Sequence, residues 1–212
     1  MDGEMNDKEV SRRIKACGEP DGLELNLAAM RLEVFPSDVF SVKFIRTLNL
    51  RRNGLEYLPS TMGLLSSLEI LNVSENQLRS LPRDIGGLCN LTKLQLQDNK
   101  IEYIVPEIGS LLALKELYLG NNRLKKLCPE IVKLKNLECI DARKNQIQSL
   151  PEDFNIKSFP FLRIVNFEGN PIDGFPWSIQ CLQDAFPIVS SVEERRRLVE
   201  RSLRIRKEVN RK

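Results

Sequence analysis

Asparagine is the residue whose spacing along this sequence is most regular, and its side-chain amide can both donate and accept hydrogen bonds. The series consists of Asn53, Asn76, Asn99, Asn122, Asn145 and Asn170. The interval between successive members is constant up to the fifth and slightly longer before the sixth. A buried amide can bond the main chain of its own and of neighbouring chain segments, so this pattern predicts a structural ladder of asparagines.

Histidine is absent from the 212 residues of the sequence. This excludes Ser-His-Asp and Cys-His catalysis, histidine-ligated zinc and switches based on imidazole titration near neutral pH. Neither a general-base partner for a cysteine such as Cys139 nor a glycine-rich phosphate loop is present. We therefore expect a protein that is not an enzyme and needs no cofactor, metal or small-molecule substrate.

Apolar residues surround each of these asparagines in the same order. From Leu68 to Pro82 the order is LxxLxVxxNxLxxLP, and the same frame fits the other asparagines. It also fits around Met30, which lies one interval before Asn53 and takes the place of the asparagine. The sequence therefore predicts seven repeats over residues 22–176.

Each repeat predicts one short strand followed by a turn. The Leu-x-Leu alternation turns the leucines of the strand towards the interior, and strands at a constant period stack in parallel. The rest of each repeat is too short for a long helix and contains proline, so we expect extended or 3-10 segments on the convex side. Where the last interval is longer, three phenylalanines are expected to fill a bulge: Phe154, Phe159 and Phe161.

The pattern LxxLxLxxNxLxxLP, repeated at the constant interval of the asparagines, resembles the leucine-rich repeat family. Residues 81–88, with Leu-Pro followed by Ile-Gly-x-Leu, are similar to the intracellular Ras-associated type of this family. The resemblance implies an α/β fold, a right-handed solenoid with a curved parallel sheet on its concave face. It also implies a signalling role and a protein partner such as a small GTPase or a phosphatase.

Both ends of such an array need covering, because an exposed terminal repeat would present leucines to water. Val10, Ile14 and Cys17 recur at helical spacing, so residues 1–21 are predicted to form a helical cap. Residues 177–190 are expected to cover the last repeat. Residues 191–212 are predicted to be a basic amphipathic helix or tail.

The concave sheet is the surface on which we expect a protein partner to bind. Amides and a tyrosine on a rigid sheet can bond a partner at little ordering cost. The candidate residues occupy the polar positions around the strands, and they are Asn49, Arg51, Asn72, Gln95, Gln97, Tyr118, Asp141, Arg143 and Asn166. Arginine and tyrosine often dominate binding energy, so Arg51, Tyr118 and Arg143 are the expected anchors. The alternative is that these side chains are polar residues that simply face water.

Charge is distributed unevenly, although the net charge is only +3. Residues 191–212 carry nine basic and four acidic side chains, whereas the repeats are close to neutral and mix both signs. This mixture argues against nucleic-acid binding on the concave face. An alternative function is recruitment to anionic membrane or RNA through the basic tail, with Arg195, Arg196, Arg197, Arg201 and Arg204. A solvated tail docked on the last repeat is the other interpretation of this segment.

The cysteines favour a reducing compartment. They are five in number, form no CxxC motif and do not cluster at either end. The apolar runs of the sequence are far shorter than the ~20 residues that span a bilayer, and its first residues show no apolar stretch behind basic side chains, so we expect neither a membrane span nor a secretory route. We therefore expect a cytoplasmic protein.

Overall fold

The computed structural model describes residues 2–17, 23–154 and 158–172. In these ranges one α-helix, α1 (Asp2–Cys17), precedes seven short strands that form a single sheet in chain order. The strands are β1 (Glu24–Asn26), β2 (Thr47–Asn49), β3 (Ile70–Asn72), β4 (Lys93–Gln95), β5 (Glu116–Tyr118), β6 (Cys139–Asp141) and β7 (Ile164–Asn166). None of the helices in the described ranges is long and apolar enough to cross a membrane.

Each strand pairs in parallel with the next, one repeat further along the chain. Leu25, Leu48 and Leu71 align across the first three strands, and all three are buried. The first and third residues of each strand point to the opposite face, as alternation in a strand requires. This confirms the predicted sheet of parallel strands.

Five short 3-10 helices lie on the other side of the leucine core. They span Ser37–Ser41, Ser60–Leu64, Arg83–Gly87, Pro106–Ser110 and Pro129–Lys133. Glycine allows them to approach closely: a Cβ added at Gly109 would lie 2.7 Å from the Glu130 carbonyl oxygen. Strands stack about 4.8 Å apart, so wider elements behind them curve the sheet. We call the strand side the concave face and the 3-10 side the convex face.

The core is a continuous column of aliphatic side chains that closes on an aromatic group at the last repeats. Phe154 and Phe159 are fully buried, with ring centroids 4.9 Å apart. The expectation for Phe161 is wrong, because its side chain is 55% exposed. Phe161 lies in a turn, closed by the bond from the Leu162 N–H to the Phe159 carbonyl at 3.2 Å, and Leu162 takes the inward position after it.

Helix α1 covers the first strand, as its apolar stripe predicted. Val10, Ile14 and Cys17 are all buried. Arg13 also donates from Nη1 to the Asn26 carbonyl oxygen at 2.9 Å. The predicted C-terminal cap (177–190) and basic tail (191–212) lie outside the described residues.

Candidate functional site: the concave face

The third residue of each strand forms a column across the concave face. The column runs Asn26, Asn49, Asn72, Gln95, Tyr118, Asp141, Asn166 in strand register. At four predicted site residues the side-chain Oδ1 accepts a hydrogen bond from the main-chain N–H two residues later: Asn49, Asn72, Asp141 and Asn166, at 3.0–3.1 Å. These bonds fix the side chains, so each of the three asparagines offers its NH2 group to a partner.

The six repeat asparagines bond the main chain and are not part of the exposed face. Asn99 shows the arrangement: its Nδ2 donates to the carbonyls of Val73 and Leu96, both at 3.0 Å. Its Oδ1 accepts from the Leu78 N–H at 2.9 Å. The same bonding involves Asn53, Asn76, Asn122, Asn145 and Asn170. Each side chain thereby joins two successive repeats.

The residue just before each ladder position has a left-handed backbone. Its φ lies between 52° and 58° in six repeats and is 73° at the last, at Ala29, Arg52, Glu75, Asp98, Asn121, Lys144 and Gly169. This conformation turns the chain inward and leaves the side chain at the rim of the concave face. The sequence places most of these residues beside the concave face but did not predict their positive φ, because only Asn121, Asp98 and Gly169 are types that favour it.

Arg51, an expected anchor, is tied to the next repeat by an ion pair. Its Nε lies 2.7 Å from Oε1 of Glu75, and Arg52 contacts the other oxygen of that carboxylate at 3.0 Å. The hydrogen bonds from Arg51 and Arg52 lower the pKa of Glu75. Arg51 can therefore contact a partner only with its remaining donors, or after leaving Glu75.

Tyr118, the second expected anchor, is held in a small polar cluster. Its hydroxyl donates to Glu116 at 2.8 Å, and the same carboxylate lies 2.9 Å from the Lys93 ammonium. The Lys93 Nζ atom is 5.5 Å from the centroid of the Tyr118 ring. Burial, together with the hydrogen bond to Glu116, raises the pKa of Tyr118. The ring is therefore a rigid, neutral contact surface.

Gly120 lies in the floor of an open depression in the middle of the face. It occupies the column two residues after the strand, between Gln97 and Arg143, and it is buried because the Arg143 side chain lies against it, with Cγ 3.2 Å from the place of a Cβ. The depression has a volume of about 520 Å3. Its lining comprises Lys93, Gln95, Gln97, Asp98, Tyr118, Gly120, Asn121, Asp141, Arg143 and Lys144.

The depression brings together five of the nine predicted binding residues: Gln95, Gln97, Tyr118, Asp141 and Arg143. Asn49, Arg51 and Asn72 lie at β2 and β3 on the same face, and Asn166 lies on β7. Arg143, the third expected anchor, has its Nε 3.4 Å from the Asp141 carboxylate. Sequence reasoning missed Gly120, although a glycine in a column of longer side chains is a visible signal of a gap.

Cys139 lies beside Tyr118 but has the properties of a core residue. It is buried, and burial raises its pKa to about 11. A protonated thiol is a poor nucleophile and metal ligand. Among the residues that the structure describes, no group of three or more His, Cys, Asp or Glu is placed to hold a metal ion.

The basic tail with Arg195, Arg196, Arg197, Arg201 and Arg204 lies outside the described residues. Its predicted contacts with membrane, RNA or the last repeat therefore stay predictions.

Two family models match the central repeats. The model described as Leucine rich repeat matches residues 43–101, and the model described as Leucine Rich repeats (2 copies) matches residues 89–131. A search of curated protein sequences finds no significant match.

Solved structures with the same architecture include two long repeat arrays. The leucine-rich effector protein YopM from Yersinia pestis is 28% identical, with a TM-score of 0.62 over 78% of this chain and 42% of that one. The LRR ectodomain of the plant membrane receptor kinase GASSHO1/SCHENGEN3 from Arabidopsis thaliana is 27% identical, with a TM-score of 0.63 over 70% of this chain and 18% of that one. That ectodomain was crystallised in complex with CASPARIAN STRIP INTEGRITY FACTOR 2. The chain thus spans less than half the length of either structure.

Proposed function

We propose that this chain, a leucine-rich repeat protein, is a non-enzymatic scaffold whose concave face binds a partner protein. Leucine-rich repeat domains generally mediate protein–protein interaction. The plant ectodomain, which was crystallised with a bound factor, supports partner binding by an array of this kind. The proposal for this chain goes further, since it assigns binding to particular strands.

The observation that carries the proposal is the depression over Gly120 among immobilised polar side chains. Tyr118 is fixed by Glu116, and Asp141 is fixed by the main chain of Arg143. A partner that inserts a side chain beside Gly120 would displace the exposed Arg143 side chain and order little else of the scaffold, which keeps the entropic cost of binding low. Tyrosine and arginine around a central cavity are also the residue types that dominate interface energies.

A signalling role and a cytoplasmic location are further parts of this proposal. Both rest on the resemblance of residues 81–88 to the Ras-associated type and on the cysteine pattern. The same resemblance makes a small GTPase or a phosphatase the proposed class of partner. The comparisons support the repeat family and do not distinguish this type within it.

A single substitution tests the site. Gly120→Gln fills the depression, and its Cβ would meet first the flexible Arg143 side chain, at 3.2 Å, so the fold should tolerate it. Ala28→Gln is the matched control, because Ala28 occupies the same column at the far end of the sheet. We expect Gly120→Gln to lose about tenfold or more of the partner recovered by affinity capture from cytosol, whereas Ala28→Gln retains it. Unfolding midpoints close to that of the wild type would show that both variants are folded.

A second variant covers the wider face. Replacing Arg51, Tyr118 and Arg143 together by alanine removes the three expected anchors. Undiminished partner recovery by both this variant and Gly120→Gln would show that the partner does not use the concave face.

A further inference from the structure

Several cations of the array face a carboxylate at the same position of the next repeat. Three such pairs are Arg46–Glu69 at 3.3 Å, Lys93–Glu116 at 2.9 Å and Lys115–Glu138 at 3.5 Å. Because the repeats stack in register, a favourable pair at one position of the frame crosses directly between neighbours. The sequence thus neutralises much of its own concave charge.

Seven described cations of the fourth to sixth repeats have no such partner. Lys133 ends a 3-10 helix of the convex face, and Lys135 follows it and donates to the Ser158 carbonyl. The other five are Lys100, Arg123, Lys125, Lys126 and Lys144, which we call the basic patch. None of them lies within 4 Å of a carboxylate oxygen of the described residues, whose ion pairs all involve other cations. Four are exposed to solvent and Lys100 is partly exposed.

The repeat frame explains why the basic patch is not neutralised. The residue one repeat after Lys100 is Arg123, a like charge, and the residue one repeat after Arg123 is Gln146. Lys126 has Tyr103 and Ser149 at the corresponding positions. Only Lys125 has a carboxylate one repeat away, that of Glu102, and the two do not form an ion pair.

Main-chain bonds keep these positions side by side. The Arg123 N–H donates to the Ile101 carbonyl at 2.9 Å, and the Gln148 N–H donates to the Lys125 carbonyl at 3.2 Å. Lys126 and Ser149 form a parallel bridge. The cations therefore share one edge of the solenoid, directly after β4–β6, with repeats about 4.8 Å apart.

Lys144 connects the basic patch with the concave site, because it also lines the depression over Gly120. A partner seated in the depression would therefore reach the edge at Lys144 and could continue over Lys125 and Lys126. Cations without internal partners can form charge-assisted hydrogen bonds with carboxylates at no loss of an existing pair. They also accelerate the association of an acidic partner.

We propose that the basic patch binds an acidic segment of the partner protein, a stretch rich in aspartate and glutamate that extends from the chain held on the concave face. This inference rests on the proposed function and specifies the chemistry of the partner. A nucleic acid is disfavoured because the aromatic rings near the patch are only two, Tyr103 and the Tyr118 that Glu116 holds, and do not form a row on which successive bases could stack. A membrane is disfavoured because Tyr103 is a single exposed ring and offers little apolar surface for insertion.

The test compares two charge-reversal variants of the full chain. Lys125→Glu with Lys126→Glu reverses the patch, and Lys43→Glu with Lys133→Glu makes the same change in net charge at exposed convex positions. The probe is a fluorescein-labelled decaglutamate peptide, titrated at low and at physiological salt. We expect the patch variant to bind the peptide about tenfold more weakly than the control variant, ~1.4 kcal/mol. Equal affinities would overturn the proposal.

Cross-linking distinguishes peptide binding at the basic patch from peptide binding at the basic tail. Both variants retain the tail. Carbodiimide activation of the bound peptide joins its carboxylates to nearby lysine amines, and mass spectrometry identifies those lysines. We expect products at Lys100, Lys125, Lys126 and Lys144. Products confined to Lys207 and Lys212 would overturn the proposal.

Two further arms identify the class of ligand. Single-stranded RNA of ten nucleotides and vesicles containing phosphatidylserine replace the peptide in the same titration. Tighter binding of either one, lost in the patch variant, would overturn the assignment to a protein segment. The peptide titration needs no natural partner, so a failure of the patch is distinguishable from a failure of Gly120→Gln to affect partner capture.

Discussion

Asparagine has two separate roles in each repeat. At the ladder position its amide is turned inward, where Asn99 satisfies one N–H and two carbonyls of two successive repeats. At the end of the strand the oxygen of Asn72 bonds the main chain two residues on, and its NH2 group stays on the concave face. The first role stabilises the fold, whereas the second supplies the binding surface.

The ladder role predicts a large cost for Asn99→Leu. The substitution leaves the Leu78 N–H without its partner in the core, at a cost on the order of 1–3 kcal/mol. The carbonyls of Val73 and Leu96 each lose one of two bonds and keep those from Asn76 and Asn122. Met30→Leu, at the ladder position that lacks an asparagine, should be nearly neutral because it conserves volume. Chemical denaturation measures the free energy of unfolding of both variants. Equal destabilisation at the two positions would show that the repeat frame is misplaced.

The ladder was predictable at the residue scale because every repeat has the same main-chain N–H and carbonyl groups to hydrogen bond, and an asparagine recurs at the position that can bond them. The strand-end bonds were not predicted, since asparagine, aspartate, glutamine and tyrosine all occupy that column. The cluster of Lys93, Glu116 and Tyr118 was also missed. It forms across two strands, and only the register of β4 and β5 brings its members together.

At the element scale, α1 protects the exposed edge of the sheet. In later repeats the main-chain carbonyl of the third strand residue accepts a hydrogen bond from an N–H of the preceding repeat. The Asn49 carbonyl, for example, accepts from the Leu27 N–H at 2.7 Å. No strand precedes β1 in the described residues, and Arg13 supplies the missing donor to Asn26. Cys17 bonds the Glu24 carbonyl at 2.8 Å. An edge covered in this way cannot recruit a strand from another chain.

Arg13→Met tests the edge protection. Methionine keeps an apolar stem but removes the donor, so we expect a loss of about 1 kcal/mol and increased self-association. Arg12→Met is the matched control: both arginines hydrogen bond Glu9 and lower its pKa to about 2, but only Arg13 also bonds β1. Denaturation and sedimentation velocity measure the two effects. Identical behaviour of the two variants would contradict a specific role of Arg13.

The helix itself was predictable from the spacing of Val10, Ile14 and Cys17, whereas its polar contacts were not. Helical periodicity identifies which face is buried, but it does not say that Arg13 lies over a carbonyl of β1. Phe161 illustrates the same limit. Its hydrophobicity suggested the core, but the turn closed by the Leu162 N–H and the Phe159 carbonyl places it outside.

At the scale of the whole molecule, the translational repeat determines both packing and charge. Residue types recur at the same positions of successive repeats. This recurrence produces the asparagine ladder and the strand register, and opposite charges at matching positions form the ion pairs between repeats. Where the choice varies, a local surface results: the depression at Gly120 and the basic patch on the adjoining edge. The order of strands was predictable because the period is nearly constant. The same period aligns Gly120 with longer side chains and Lys100 with Arg123 in the sequence. Only the packed structure shows which side chains line the depression and which cations lack a carboxylate within 4 Å.

Binding of the partner on the concave face around Gly120 can be measured by hydroxyl-radical footprinting of the captured complex against the free protein. We expect modification of Tyr118 and of Ile70 on the concave face to fall when the partner binds, whereas the exposed convex leucines, Leu64 and Leu112, are modified equally in both states. Protection of Leu64 and Leu112 with unchanged modification of Tyr118 would contradict binding on the concave face.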